Sequence, residues 1–245
     1  MPGATREIDR SRLPRWLPEH LVPVNNDLGR RIVLPGDERL WMPARLPGLE
    51  FRVFDFVDRQ PPWVCGELRQ SPGNHSEAIE FVTRGAVEAY LRHGRLDTEG
   101  VSAGAGGYVR LPPDHPAPVR LSGNAHIYVT VGQMLASDSE QRCIDSNREE
   151  LWLPGPAAGT EVLALHGHGS YASLLLRWTA HAAFQPRLDP QGEEMLVLEG
   201  YLSDAWGDYG PDTWIRNPIE AWQTWSADAG TLVYYKSGHF AERPA

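Results

Sequence analysis

An internal repeat is the feature that most limits how this chain of 245 residues can fold. Residues 40–43 (Leu-Trp-Met-Pro) return as residues 151–154 (Leu-Trp-Leu-Pro), so that Trp41 and Trp152 are separated by 111 residues (152 − 41). The Gly and Glu that follow recur at the same offset. Three later matches keep their order while the offset drifts: 68–69 with 176–177, 80–85 with 194–200, and 108–112 with 214–218. Strands of fixed length joined by loops of variable length give this pattern, which predicts two copies of one β-unit.

Short apolar runs separated by turn residues predict that both copies are built from strands. The chain has 24 Gly and 21 Pro, which favours many short strands over long helices. Candidate strands cover residues 127–131, 173–178, 195–198 and 231–235.

The repeat also predicts the domain boundaries. We expect an N-terminal arm at residues 1–38, a first unit at 39–135, a linker at 136–150 and a second unit at 151–240. The linker is polar and lacks Pro, which is compatible with one short helix capped by Ser137 or Asp138. The arm, which carries Trp16, either packs on a unit or a second subunit or is a mobile leader.

Composition and charge exclude several classes of protein. The net charge is −9 and no basic face is evident, which argues against nucleic-acid binding. No apolar run approaches the roughly 20 residues that span a bilayer, and the N-terminus lacks the apolar segment of a signal peptide. Cys65 and Cys143 are the two cysteines, too few for a disulfide framework. We therefore expect a cytoplasmic protein without membrane contact.

One stretch resembles a known family. Residues 191–200 read Gln-Gly-Glu-Glu-Met-Leu-Val-Leu-Glu-Gly, and residues 212–218 read Asp-Thr-Trp-Ile-Arg-Asn-Pro. They resemble the two motifs of cupins, and more narrowly those of the ChrR-like cupin family: His-x-His-x-x-Gly-Glu-Glu, a Val-Leu-Glu-Gly turn, then Arg-Asn-Pro and a late His. The resemblance covers about residues 174–233. With the repeat, it implies an all-β bicupin of two tandem jelly-roll barrels, that is, double-stranded β-helices.

The resemblance also implies where a metal would bind in the second barrel: two His, one Glu and the late His. Counting back from Gly200 places the Glu on Glu194 and the two His on Arg187 and Asp189. Counting forward from Pro218 places the late His on Gln223. One ligand of four is therefore retained, and the Arg187 cation could pair with Glu194 or Asp189 in place of a metal. We expect no metal at this site.

The first barrel leaves a different alternative open. Its ligand loop is shortened to residues 72–80, and His75 and Glu80 (or Glu77) remain there as potential ligands. His115 lies near the position of the late His. These residues are either a three-ligand site for one divalent transition metal or ordinary loop residues.

The second unit is also predicted to hold a small-molecule pocket. If Gln223 faces inward, Trp225 does too, because strand residues alternate between faces. Leu196 and Leu198 lie at alternate positions after Glu194 on the same strand, so we expect them to face the pocket together with Glu194. The pocket would have an apolar wall and a polar group of residues: Trp178, Leu196, Leu198 and Trp225 with Arg187, Asp189, Glu194 and Gln223. The alternative is that the Trp side chains fill a core.

Three functions fit these patterns. The first is an enzyme acting on a small organic molecule by metal-independent acid–base chemistry, such as cyclisation, isomerisation or dehydration, in specialised metabolism. The second is a metal-dependent cupin dioxygenase, and the third a non-catalytic ligand-binding bicupin. Anti-sigma relatives need a helical zinc domain ahead of the cupin, which residues 1–38, with one His and no Cys, do not favour. Cupins often pair through their sheets, so a homodimer is compatible with the sequence.

Overall fold

The computed structural model describes residues 13–36, 40–59, 62–73, 78–83, 86–113, 116–135, 137–185, 192–219, 221 and 223–240. Their regular structure is almost entirely β-strand, with a 3₁₀ turn at Glu149–Leu151. The prediction of an all-β chain is confirmed. In the part of the chain so described, no helix is long and apolar enough to cross a membrane.

The chain divides into two compact units: Met1–Asn26 with Trp41–Asp145, and Asp27–Leu40 with Ser146–Ala245. Numbered in chain order, β1 (Ile32–Leu34) belongs to the second unit. The strands of the first unit are β2 (Met42–Pro43), β3 (Leu49–Val57), β4 (Trp63–Gln70), β5 (Ile79–Thr83), β6 (Val87–Thr98), β7 (Val101–Ala103), β8 (Gly107–Leu111), β9 (Ala117–Val131) and β10 (Arg142–Asp145). They form one nine-stranded sheet in the order β10-β8-β6-β9-β4-β3-β2, with β5 paired to β9 and β7 to β6.

The second unit consists of two sheets with a hydrophobic core between them. Its remaining strands are β11 (Leu153–Pro154), β12 (Thr160–His168), β13 (Tyr171–Trp178), β14 (Ala182–Phe184), β15 (Glu193–Glu199), β16 (Leu202–Asp204), β17 (Gly207–Tyr209), β18 (Trp214–Asn217), β19 (Trp225–Ala227) and β20 (Leu232–Ser237). The larger sheet has the order β1-β18-β15-β20-β13-β12-β11, and the smaller one β14-β19-β16-β17. The core contains residues of both sheets, including Met195 and Val197 of the larger and Trp225 and Ala227 of the smaller.

Strand pairing gives the internal repeat its exact register. Glu88 is paired with Arg110 and Thr130, and Glu194 with Arg216 and Lys236. Each residue of the second set follows its counterpart by 106 positions (194 − 88). The sequence match of 108–112 with 214–218 agrees with this register. The match of residues 80–85 with 194–200 is wrong, because Glu80 lies on β5 and is paired with Arg120.

The residues that made the repeat visible have the same role in both units. Arg69 lies 4.0 Å from the centroid of the Trp41 ring and donates hydrogen bonds to Glu50. The Arg177 guanidinium lies 4.1 Å from the centroid of the Trp152 ring, and Arg177 is bonded to Glu161. In each unit, a guanidinium thus contacts an indole ring and pairs with the carboxylate opposite it on the neighbouring strand. These three residue types recur because they form one interaction.

The unit boundaries differ from the predicted ones. The arm is divided, since residues 13–26 belong to the first unit and β1 pairs with β18 in the second. Within the predicted linker, β10 pairs with β8, so these residues extend the first sheet and are not a helix. Trp16 of the arm is 4% exposed and packs in the core of the first unit.

Candidate active site

The strand β15 presents its two opening carboxylates to opposite sides of the sheet. Met195 and Val197 belong to the core of the second unit, together with Trp225. Because side chains alternate along a strand, Glu193 faces this core and Glu194 faces away from it. Gly192 precedes them with a positive φ of 80°, where a Cβ would collide with the ring of Phe240.

Glu193 lies buried among neutral hydrogen-bond donors. Its Oε1 accepts hydrogen bonds from Asn217 Nδ2 at 2.7 Å and from Trp225 Nε1 at 3.3 Å, and the Tyr235 hydroxyl also donates to the carboxylate. Burial nevertheless raises the pKa of Glu193, since desolvation penalises the ionised form more than these donors stabilise it. Burial and the nearby Glu193 also raise the pKa of Tyr235 well above its ordinary value, so this phenol stays protonated.

Arg31, from the segment before β1, connects this carboxyl group to a second acid. Its Nε donates to Asn217 Oδ1 at 2.9 Å, and its Nη2 donates to Asp204 Oδ2 at 2.6 Å and to the Tyr209 hydroxyl at 2.9 Å. A guanidinium has no acceptor, so Asn217 must turn its oxygen to Arg31 and its NH₂ group to Glu193. Arg31 therefore orients the Asn217 amide so that its NH₂ group donates a hydrogen bond to Glu193.

Aromatic rings form the wall beside these polar groups. Trp178 stacks on Phe184 with 5.7 Å between ring centroids, and its indole donates to the Ala182 carbonyl at 3.1 Å. Tyr209 and Trp225 make an edge contact at 6.4 Å. One polar network beside apolar rings is the usual composition of a small-molecule site.

The opposite face of β15 holds a buried cluster of charges. Glu194 and His239 lie 3.1 Å apart with both side chains fully buried. Burial works to raise the pKa of Glu194, but the charges of His239, Lys236 and Arg216 hold it below its ordinary value. Glu194 thus stays ionised as the anion of a cationic cluster.

The structure brings part of the predicted pocket together and separates the rest. Trp178 and Trp225 share the core of the second unit, and Gln223 is 7% exposed. The expectation that Glu194, Leu196 and Leu198 lie beside Trp225 is wrong. Leu196 lies on the same face of β15 as Glu194. Leu198 has no partner in the pairing with β20, because the register shifts between Val197 and Glu199. Neither residue belongs to the core that contains Trp225.

The remaining predicted residues lie mostly outside the described part of the chain. These are Arg187 and Asp189 of the second unit and His75, Glu77 and His115 of the first. Glu80 is described, and its exposed carboxylate pairs with Arg120 at 3.2 Å. The alternative three-ligand site therefore has one described member.

The donors around Glu193 do not fit a metal ion. Oε1 faces two N–H groups, those of Asn217 and Trp225, which repel a cation, and the carboxylate also accepts a hydrogen bond from the protonated phenol of Tyr235. Transition metals prefer imidazole, thiolate and carboxylate ligands. Among the residues with described positions, no three His, Cys, Asp or Glu side chains are grouped closely enough to hold a metal.

Sequence reasoning missed most of the network around Glu193. Glu193 was available in the Gly-Glu-Glu run, and alternation from Met195 would have placed it in the core. Asn217 was available in the Arg-Asn-Pro motif. Arg31 had no local signal, because its bond to Asn217 spans 186 residues.

Comparisons with known proteins agree with this architecture. Residues 139–241 match the family model of the ChrR cupin-like domain. No functionally curated protein is significantly similar to the chain in sequence.

Several solved structures share the fold. One is a Nostoc punctiforme protein provisionally assigned as a dioxygenase, with 14% identity and a TM-score of 0.66 over 89% of this chain and 85% of that chain. Quercetin 2,3-dioxygenase from Acinetobacter baumannii has 11% identity and a TM-score of 0.58 over 85% and 78%. HEPD of Streptomyces albus, with 2-hydroxyethylphosphonate and Fe(II) bound, has 12% identity and a TM-score of 0.63 over 91% and 79%. At these identities the likeness shows the fold alone. Residues 139–241 thus match the ChrR cupin-like domain, and most of the chain shares its fold with these solved structures.

Proposed function

We propose that the protein is a bicupin enzyme that acts on a small organic molecule by metal-independent proton transfer, with Glu193 as the general acid and base. The observation that carries the proposal is the environment of Glu193: a buried carboxyl group with a raised pKa, beside aromatic walls and held by oriented donors. A carboxyl group is an effective general acid when its pKa is raised towards the working pH.

The network supports both protonation states of Glu193 during a reaction. In the neutral form, Glu193 can give its proton to a carbonyl, hydroxyl or alkene group of the substrate. After the transfer, Asn217, Trp225 and Tyr235 stabilise the carboxylate by hydrogen bonds that are already in place. The proton can then be taken back from another atom of the substrate. Cyclisation, isomerisation and dehydration all need this exchange.

The polar neighbours give each other fixed positions, which supports catalysis over simple packing. Arg31 orients Asn217, and Asp204 and Tyr209 hold Arg31. A buried carboxyl group surrounded by neutral donors costs stability, and such cost is typical of functional sites. Trp178 and Trp225 would contact the apolar part of the substrate.

Mass spectrometry of reaction mixtures would test the proposal. Hydroxylated and carbonyl-containing aromatic and terpenoid compounds are incubated with the wild type, with chelator-treated protein, and with Glu193→Gln. We expect products with unchanged mass or with one water lost, formed equally after chelation and lost in Glu193→Gln. Glu199→Gln, which changes an exposed carboxylate on the same strand, is the matched control and should keep full turnover.

The alternatives predict different products. A metal-dependent dioxygenase would add two oxygen atoms, consume O₂ and stop after chelation, while elemental analysis would find near-stoichiometric metal. Either result would refute the metal-independent proposal. A binding protein would show ligand-dependent melting without turnover.

A further inference from the structure

The interior of the first unit is an apolar version of the candidate active site. The offset of 106 residues that relates Glu88 to Glu194 also relates Leu96 to Leu202 and Ala103 to Tyr209, since both pairs occupy the same place in the strand pairing. Applied to the site, this register gives a small aliphatic counterpart for each residue: Glu193, Tyr209, Asn217, Trp225 and Tyr235 correspond to Val87, Ala103, Leu111, Val119 and Val129. All five counterparts belong to the core of the first unit.

These replacements remove both polarity and volume. An indole and two phenols become Val and Ala side chains, so the same framework has less side chain to fill it. Protein interiors are close-packed, and a large deficit must be filled or left as a cavity.

The N-terminal arm fills much of this deficit. Leu13, Trp16 and Leu17 are buried in the core of the first unit, and Trp16 lies 6.1 Å from the Phe51 ring. The backbone carbonyl of Trp16 accepts a hydrogen bond from the Arg45 amide at 2.8 Å. Trp16 thus supplies the first unit with an indole ring from outside the sheet, where the second unit has Trp225 and the first has Val119.

A cavity remains beside Trp16. It is small, with a volume of about 20 Å³, and has room for little more than one water molecule. Val87, Leu111, Val119 and Val129 line it. Thr83 is the polar side chain among its described lining residues, and its hydroxyl donates to the Ala117 carbonyl at 3.3 Å.

We infer that the interior of the first unit is a second binding site, for a neutral apolar molecule of about the size of an indole, and that Trp16 occupies this site when the ligand is absent. A charged ligand would lose its hydration without gaining a partner, so the lining selects neutral molecules. The ligand must displace Trp16, because the space left beside it is too narrow for a ring system. This inference does not depend on the chemistry proposed for Glu193.

Indole is a suitable probe, because it is the group that Trp16 itself inserts. Binding is measured by calorimetry on the full chain as wild type, Trp16→Ala and Trp16→Ala/Val119→Trp. We expect Trp16→Ala to bind indole at least tenfold more tightly than the wild type, since the competing side chain is gone. The double variant carries an indole at position 119, which corresponds to Trp225 of the second unit. This side chain should fill the site, so the double variant should not bind indole. Trp206→Ala removes an exposed Trp and should bind as the wild type does.

Limited proteolysis tests displacement in the wild type. Arg15 precedes Trp16 and is exposed, and a released arm should be cut there by trypsin more quickly. We expect indole at saturating concentration to speed this cleavage several-fold, while benzoate, which is charged, leaves it unchanged. The inference is overturned if folded Trp16→Ala binds no indole, if binding survives Val119→Trp, or if saturation of the wild type leaves the cleavage rate unaltered. Trp16→Leu replaces Trp16→Ala if the latter does not fold.

Discussion

Glu193 and Glu194 are adjacent in the sequence, yet their carboxyl groups lie on opposite faces of β15 and in opposite electrostatic states. Glu193 meets neutral donors and has a raised pKa, whereas Glu194 meets His239, Lys236 and Arg216 and has a lowered one. A strand converts a one-residue difference into a change of face. The two residues therefore make a matched pair for mutation, because we propose a catalytic role for Glu193 and expect a structural one for Glu194.

Replacing Glu193 should cost activity and gain stability. We expect Glu193→Gln to lose about 10²- to 10⁴-fold in turnover, the usual contribution of a general acid or base. Its pKa is raised on folding, so the stabilising effect of the bound proton is complete below the ordinary pKa and is lost as pH rises through the folded pKa. Urea unfolding should therefore show the variant more stable than the wild type at pH 8. This difference should disappear below about pH 4. A difference independent of pH would show that Glu193 is not buried as a titrating group.

Replacing Glu194 should instead damage the fold. Glu194→Gln leaves Lys236, Arg216 and His239 without their buried anion, and breaking a buried ion pair costs about 3–5 kcal/mol. The free energy of unfolding, measured in urea at pH 7, should fall by this amount. Glu199→Gln, on the same strand but exposed, should remain within about 0.5 kcal/mol of the wild type. A neutral effect of Glu194→Gln would contradict the charge cluster.

In the first unit, Glu67 should give stability that is lost in acid. It is bonded to Arg52, to Arg92 at 3.1 Å and to His126 at 3.1 Å. Burial acts to raise its pKa, but His126 and Arg52 lower it to about 2. A lowered pKa stabilises the fold above the ordinary value and loses this effect as pH falls towards 2. Glu67→Gln should therefore be less stable by about 3 kcal/mol at pH 7. Unfolding curves from pH 7 to pH 2 should converge for the two proteins; parallel curves would argue against this ion-pair network.

Arg31 should matter to both stability and turnover. Arg31→Met removes three hydrogen bonds and the cation beside Asp204, which should cost about 2–3 kcal/mol. Asn217 then loses its fixed orientation, so turnover should fall as well. Arg31→Lys should not restore it, because an ammonium group lacks the planar fork that reaches both Asn217 and Asp204. Arg30→Met changes the exposed neighbouring arginine and serves as the control for unfolding and turnover. Full rescue by lysine would mean that charge alone is required.

Local sequence patterns were sufficient to predict the fold, but they predicted the residues of the candidate site only in part. The Trp-Pro-Gly-Glu repeat and the Arg-Asn-Pro motif predicted paired strands, because such positions are dictated by neighbours a few residues away. The offset of Tyr108–Pro112 was already correct, since these residues pair within the sheet. Whether Glu193 or Glu194 faces the core depends on register, which is set by pairing with strands far along the chain. For that reason, counting from the motif placed Glu194 beside Trp225, whereas Glu193 is the residue that contacts Trp225.

Arg31 shows a second limit of sequence reasoning. Nothing near residue 31 indicates a contact with Asn217, which lies 186 residues away. The guanidinium belongs to the site through β1, which pairs with a strand that is reached much later in the sequence. Contacts of this kind carry no local signal.

The placement of β1 in the second unit also has a consequence for biosynthesis. Asn217, the partner of Arg31, is synthesised 186 residues after it. At the usual rates of translation this is a delay of about 10–40 s. Throughout that interval, Arg31 and β1 lack the strand β18, with which they pair in the folded protein. The candidate active site is therefore completed only after Asn217 of β18 has left the ribosome, and a chain that stops before this residue carries no complete copy of the site.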